Sequence, residues 1–224
     1  SPLEELPYLS RVDTLTVEVD RGVKSYAHHF IPTSPNGRVV ILHQGHFLSF
    51  DDSPVPADIS FGMRRTIEGL LGDGYSVLAV YMPKFAQFQT SITVNDENGE
   101  LIHNDFFTEE YYMPSWGTPM RYFLEPVAAY VNYLESRGQT DGFPKYSDIN
   151  MVGFSGGGWT STVYAAVDPR IMLSISAAVP AAGNDARRHR TNARRFLFDR
   201  RLSRSLRHGI VRAGPPSDTN IQPP

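Results

Sequence analysis

Short, nearly continuous runs of apolar residues recur along the first 180 residues of this 224-residue chain. Such runs are typical of strands that are buried on both faces of a sheet. They are RVVILHQG (38–45), YSVLAVYM (75–82), INMVGF (149–154) and IMLSISAAV (171–179). Helical spacing of apolar residues is found between them, at 59–71, 126–138 and 157–168. Strands that alternate with helices in this way predict an α/β fold with a parallel sheet and helices on both faces.

The segments before and between these elements complete the predicted topology. Two strands are predicted first, at 14–19 and at 25–31, where His28 and His29 are expected to be surface or edge residues. The helix at 126–138 is expected to have Pro126 in its first turn. Residues 84–119 lose all periodicity and are rich in Asn, Asp, Glu and aromatic side chains, so we interpret them as a loop or lid. The sheet is therefore predicted to be mostly parallel, with antiparallel strands at its start.

Composition excludes several classes of protein. The chain has no cysteine, which rules out disulfides and thiolate chemistry. No apolar run reaches the eighteen or so residues of a membrane-spanning helix. Acidic residues surround His103, but they lack the fixed spacing of a calcium-binding loop, so we favour a solvated acidic loop and predict no metal site.

The last part of the chain differs in composition from the rest. Ten of the 21 basic residues are arginines between 187 and 212, whereas only two of the 24 acidic residues lie beyond 187. We therefore divide the chain into a domain at 1–185 and an Arg-rich, irregular tail at 186–224. One hypothesis is that the domain's last third has been lost or replaced, which would leave the final strand as an exposed edge. The alternative is a basic segment that makes weak contact with a polyanion.

The pentapeptide Gly153-Phe154-Ser155-Gly156-Gly157 lies at the junction of a predicted strand and a predicted helix. This is the setting of a nucleophile elbow, a sharp turn that requires small residues two positions before and after an exposed serine. The alternative is a glycine-rich turn that packs closely or binds a phosphate. Neither G-x-G-x-x-G nor G-x-x-x-x-G-K-[ST] fits GFSGGG, so no nucleotide cofactor is predicted.

With this elbow and this order of strands and helices, residues 12–180 resemble the α/β-hydrolase superfamily of serine esterases, lipases and dienelactone hydrolases. The resemblance implies that Ser155 attacks an ester, thioester or amide carbonyl without a cofactor. It also implies that two backbone N–H groups bind the oxyanion, one from Gly156 and one from the loop after the third strand. That loop begins HQGH, similar to the family's His-Gly loop although it lacks the HGGG run, and it offers Gly45, His46 and Phe47.

The resemblance also requires an acid and a histidine after Ser155, in that order. By order and reach, Asp185 and His208 complete the best available triad, although both are also explained as ordinary residues of a basic tail. Asp168 precedes Pro169 and is interpreted as a turn residue. The sequence thus predicts a serine hydrolase for small carboxylic esters. The alternative is a catalytically incomplete hydrolase-like protein, either a binding module or a truncated product, that lacks a working acid/base pair.

Overall fold

The computed structural model describes residues 5–19, 23–45, 63–82, 120–137, 143–177 and 210–213. These residues form β1 (Leu9–Glu18), β2 (Lys24–Pro32), β3 (Arg38–His43), α1 (Met63–Gly72), β4 (Ser76–Val80), α2 (Arg121–Arg137), β5 (Asp148–Phe154), α3 (Gly156–Ala165), β6 (Ile171–Ala177) and β7 (Ile210–Ala213). The first nine elements follow the predicted order. The short β7 lies within the Arg-rich tail, where no strand was predicted.

All seven strands belong to one sheet, in the order β6-β5-β3-β4-β2-β1-β7. Strands β4, β3, β5 and β6 are parallel neighbours, whereas β2 is antiparallel to both β4 and β1, and β7 is antiparallel to β1. Five strands therefore point the same way, which confirms the mostly parallel sheet. His43 at the end of β3 is in register with Gly153 near the end of β5. This register brings the loop after β3 beside the predicted elbow.

Helices cover both faces of the sheet, as predicted. On one face, α2 and α3 pack over a first core cluster that contains Val39, Ile41 and Met151. On the other face, α1 packs over a second core cluster that contains Leu42 and Val77. The alternation of Ile41 and Leu42 between the clusters follows from the two-residue period of a strand. Among the described residues, no helix is long and apolar enough to span a membrane.

Helix α2 begins earlier than predicted. It starts at Arg121, so Pro126 lies inside the helix rather than in its first turn. Proline has no N–H to donate to the carbonyl four residues before it, and this normally disfavours a helix interior. Here Phe123 and Leu124 are buried, and their N–H groups donate to the Met120 carbonyl. Burial of the residues before the proline thus extends the helix, a tertiary effect that local sequence does not reveal.

The prediction that His29 is a surface or edge residue is wrong. Its side chain is fully buried beneath α2, with Nε2 at 2.8 Å from the Tyr146 hydroxyl and Nδ1 at 3.4 Å from the Tyr133 hydroxyl. Burial lowers the pKa of His29 to about 4, so the ring is neutral at pH 7. Both hydroxyls come from residues more than 100 positions away, which is why the local pattern could not identify this buried polar site.

Strand β6 forms one edge of the sheet and exposes apolar side chains. Within the described residues it pairs only with β5, and Met172, Leu173 and Ile175 are 68%, 54% and 49% exposed. No charged residue occurs in IMLSISA to discourage pairing with another strand. The hypothesis that the domain's last third has been lost or replaced stays a prediction, because residues 178–209 lie outside the described residues. The loop or lid segment at 84–119, including His103, lies outside the described residues.

Candidate active site

Ser155 occupies a sharp turn between β5 and α3. Its φ of 53° and ψ of −121° are unfavourable for a residue with a side chain, and it is one of two such non-glycine residues with positive φ in the described part of the chain. The Ser155 N–H donates to the Ala177 carbonyl at 3.0 Å, and its carbonyl accepts from the Trp159 N–H at 3.2 Å. The side chain is partly exposed and makes no capping hydrogen bond to its own helix. Ser155 is therefore not fully buried, and its hydroxyl does not cap α3.

Backbone crowding explains the two glycines that flank the serine. A Cβ on Gly153 would overlap the Gly157 carbonyl and lie 2.6 Å from Ser161 Oγ. A Cβ on Gly157 would overlap the His43 carbonyl and lie 2.6 Å from the Gln44 carbonyl oxygen. Glycine is thus required at position 157 because a Cβ there would clash with the backbone at the end of β3. A clash with a side chain at position 153 is not the reason.

Gly45 and Gly156 lie against the serine. A Cβ on Gly45 would be 2.7 Å from Ser155 Cβ and 3.1 Å from the Gly156 nitrogen. Gly156 is the first residue of α3, where backbone N–H groups have no carbonyl partner within the helix. These groups, with the positive end of the helix dipole, favour negative charge at this position. His46 and Phe47 lie outside the described residues, and the oxyanion roles of Gly156 and of this loop stay predictions.

His43 and Gln44 connect β3 to this loop. His43 is 1% exposed, and its Nδ1 donates to the Gln44 carbonyl at 2.8 Å. Burial lowers the pKa of His43 to about 4, so its ring is neutral at pH 7. The hydrogen bond from this ring to the Gln44 carbonyl helps to fix the loop. Gln44 is also 1% exposed, yet its amide atoms have no hydrogen-bond partner among the described residues. Sequence reasoning did not single out Gln44, although a polar residue directly after a buried strand was visible in RVVILHQG.

The predicted acid and base, Asp185 and His208, lie outside the described residues. Within the described ranges, Ser155 Oγ makes no hydrogen bond to a histidine. Asp168 is confirmed as a turn residue: it receives hydrogen bonds from the Tyr164 hydroxyl and from the Arg170 backbone and guanidinium. Burial opposes ionisation of Asp168, but these hydrogen bonds lower its pKa below the usual value. Asp168 follows the far end of α3 from Ser155, about 15 Å away along a ten-residue helix, and this excludes it as the triad acid.

The comparisons with known proteins place this geometry in a known fold. No protein-family model matches the sequence, and neither does any curated protein. Among solved structures, the esterase Pf2001 of Pyrococcus furiosus is 18% identical with a TM-score of 0.50, over 76% of this chain and 52% of that one. Acetyl xylan esterase 1 from Thermoanaerobacterium sp. JW/SL YS485 is 18% identical with a TM-score of 0.52, over 87% of this chain and 59% of that one.

The chain thus spans little more than half the length of these esterases. At this level of identity the likeness concerns the fold. Together with the strand order and the turn at Ser155, it shows that the described part of the chain has an α/β-hydrolase-like fold.

Proposed function

We propose that this protein is a serine hydrolase that cleaves a carboxylic ester bond, with Ser155 as its nucleophile. The observation that carries the proposal is the strained backbone at Ser155, which precedes the first N–H groups of α3 and whose hydroxyl makes no capping hydrogen bond to that helix. Strain of this kind persists where the surrounding structure imposes it and is concentrated at functional sites. The esterases of similar fold support the choice of an ester over other acyl bonds.

The proposed reaction follows from these positions. Ser155 Oγ attacks the ester carbonyl carbon, and the negative charge that develops on the carbonyl oxygen lies near the Gly156 N–H. Collapse of the tetrahedral intermediate breaks the ester C–O bond, releases the alcohol and leaves an acyl group on Ser155. Water then hydrolyses this acyl-enzyme.

A base must accept the Ser155 proton and return it to the leaving alcohol. His208, oriented by Asp185, remains our nominee for this role. Gly45, His46 and Phe47 remain the nominees for the second oxyanion donor.

Labelling with a fluorophosphonate tests the nucleophile. We expect rapid labelling of the wild-type protein, because only an activated serine reacts with such a probe at a useful rate, and no labelling of Ser155→Ala. Ser147→Ala is the matched control, since Ser147 is exposed and bonds only to the Gly37 carbonyl through its side chain among the described residues. Labelling that persists in Ser155→Ala would contradict the proposal.

A catalytically incomplete hydrolase-like protein is the second candidate. It is favoured by one observation, namely that no histidine in the described residues bonds to Ser155 Oγ. A folded wild-type protein that resists the fluorophosphonate would support this candidate. Loss of labelling in His208→Ala, with an unchanged circular dichroism spectrum, would instead show that the tail supplies the base.

A further inference from the structure

The Gln44 amide is a buried polar group without a partner in the described part of the chain. The residue is 1% exposed, and neither Nε2 nor Oε1 has a hydrogen-bond partner among the described residues. Burying an amide without hydrogen bonds costs free energy, so buried polar groups in folded proteins are nearly always paired. The hydrogen-bonding capacity of the Gln44 amide is therefore unused by the described residues.

The backbone of Gln44 is held next to the elbow. Its N–H donates to the Val80 carbonyl at 3.3 Å, which extends the ladder between β3 and β4 by one residue. Its carbonyl accepts the His43 Nδ1–H at 2.8 Å and lies against Gly157. The next residue, Gly45, touches Ser155. The backbone at Gln44 is thus tied to the backbone that carries the nucleophile.

The surroundings of Gln44 are apolar on the face where its side chain is expected. Because side chains alternate along a strand, Gln44 shares a face with Leu42, which belongs to the second core cluster. Tyr81 belongs to that cluster too, and Phe154, which directly precedes Ser155, packs against it. An amide at the end of this apolar face recognises an uncharged polar group at a lower desolvation cost than a charged one.

We propose that Gln44 is a substrate-recognition residue, whose amide binds a hydroxyl group on the acyl or alcohol part of the ester. A hydroxyl both donates and accepts, so it can donate to Oε1 or accept from Nε2. A pair of hydroxyls can bond to both atoms at once. A carboxylate could bond only to Nε2 and would bring a charge into a buried apolar site. This inference rests on the proposed ester hydrolase function and assigns its substrate class as hydroxylated esters.

Two matched ester pairs test the proposal. Methyl 3-hydroxybutyrate and methyl butyrate differ by a hydroxyl on the acyl side, and 2-hydroxyethyl butyrate and propyl butyrate differ on the alcohol side. We expect the wild-type protein to have a higher kcat/KM for the hydroxylated member of at least one pair. In Gln44→Leu, that preference is expected to fall about 10-fold, because a hydrogen bond to an uncharged group is lost. Gln44→Met, which keeps the length of the side chain, repeats the test should the leucine variant fold poorly.

Ser76→Ala is the matched control, because Ser76 is an equally buried polar residue at the opposite end of the sheet and should not affect the preference. The Tm of unliganded Gln44→Leu is expected to rise, since hydrocarbon replaces an unpaired amide. A wild-type protein without preference in either pair overturns the proposal, as does a preference that survives both Gln44 substitutions.

Binding to Ser155→Ala separates this inference from the proposed function. The increase in Tm on adding each ester is measured with Ser155→Ala and with Ser155→Ala carrying Gln44→Met. A larger increase with the hydroxylated ester, lost in the double variant, supports recognition by Gln44 even if the wild-type protein hydrolyses no ester. Equal increases with both members of each pair contradict it.

Discussion

Replacing Gly157 with alanine adds one methyl group where α3 meets the end of β3. The new Cβ would overlap the His43 carbonyl and lie 2.6 Å from the Gln44 carbonyl oxygen. These are backbone atoms of a paired strand and its extension, so they cannot move aside as a flexible side chain could. Overpacking of this kind costs about 1–3 kcal/mol, and we take the upper end. Alanine recovers about 1 kcal/mol through its helix propensity, so the free energy of unfolding should fall by about 2 kcal/mol.

The matched control is the same substitution at Gly69. Gly69 lies in α1 and is exposed, and a Cβ added there would have no atom within 4 Å, so alanine meets open space. Its higher helix propensity should raise the free energy of unfolding by about 0.5–1 kcal/mol. For a chain of this size, thermal unfolding should show Tm lowered by about 4–8 °C in Gly157→Ala and raised by about 2 °C in Gly69→Ala. A Gly157→Ala protein as stable as wild type would refute the crowding argument.

Three further predictions concern stability and association. The pKa values of His29 and His43 are lowered to about 4, so both rings bind protons more weakly in the folded state. Their contribution to stability should therefore decline as pH falls below 6.5 and level off below about 4. Urea unfolding should show a loss of about 2 kcal/mol per histidine between pH 7 and pH 5, and a flat profile would contradict this. Arg170→Ala should lower the free energy of unfolding by about 2 kcal/mol at pH 7, because it leaves the Asp168 carboxylate poorly paired. Since the pKa of Asp168 is lowered, this loss should shrink as pH falls below the usual value of 3.8. A loss that does not depend on pH in urea unfolding would argue against the ion pair. Ile175→Lys should reduce association of the protein through the β6 edge, measured as a smaller mass by light scattering. The free energy of unfolding should change by less than about 0.5 kcal/mol. If the wild-type protein associates and the variant has the same scattering mass, the β6 edge is excluded as the site of association.

The features that could be predicted from the sequence are those with a local cause. The apolar run before Ser155 and the helical spacing after it identified β5 and α3, and the glycines at 153 and 157 identified the turn between them. Each of these signals lies within about ten residues of the structure it specifies.

The features that were missed depend on residues distant in sequence. Tyr133 and Tyr146 bury His29 from more than 100 positions away. Packing against the sheet lets α2 begin before Pro126. Residues Ile210–Ala213 form a strand because they pair with β1. Gln44 was missed for a related reason, since only the packed structure shows that its amide is both buried and unpaired among the described residues.

The contact between the loop after β3 and the elbow limits how this protein can be engineered. At Gly45, Gly153 and Gly157, stretches of main chain meet with no side chain between them, so any larger residue would push the stretches apart. A mutational library aimed at new substrates should therefore keep these three positions constant. Under the proposed role of Gln44 in substrate recognition, diversity is better placed at position 44.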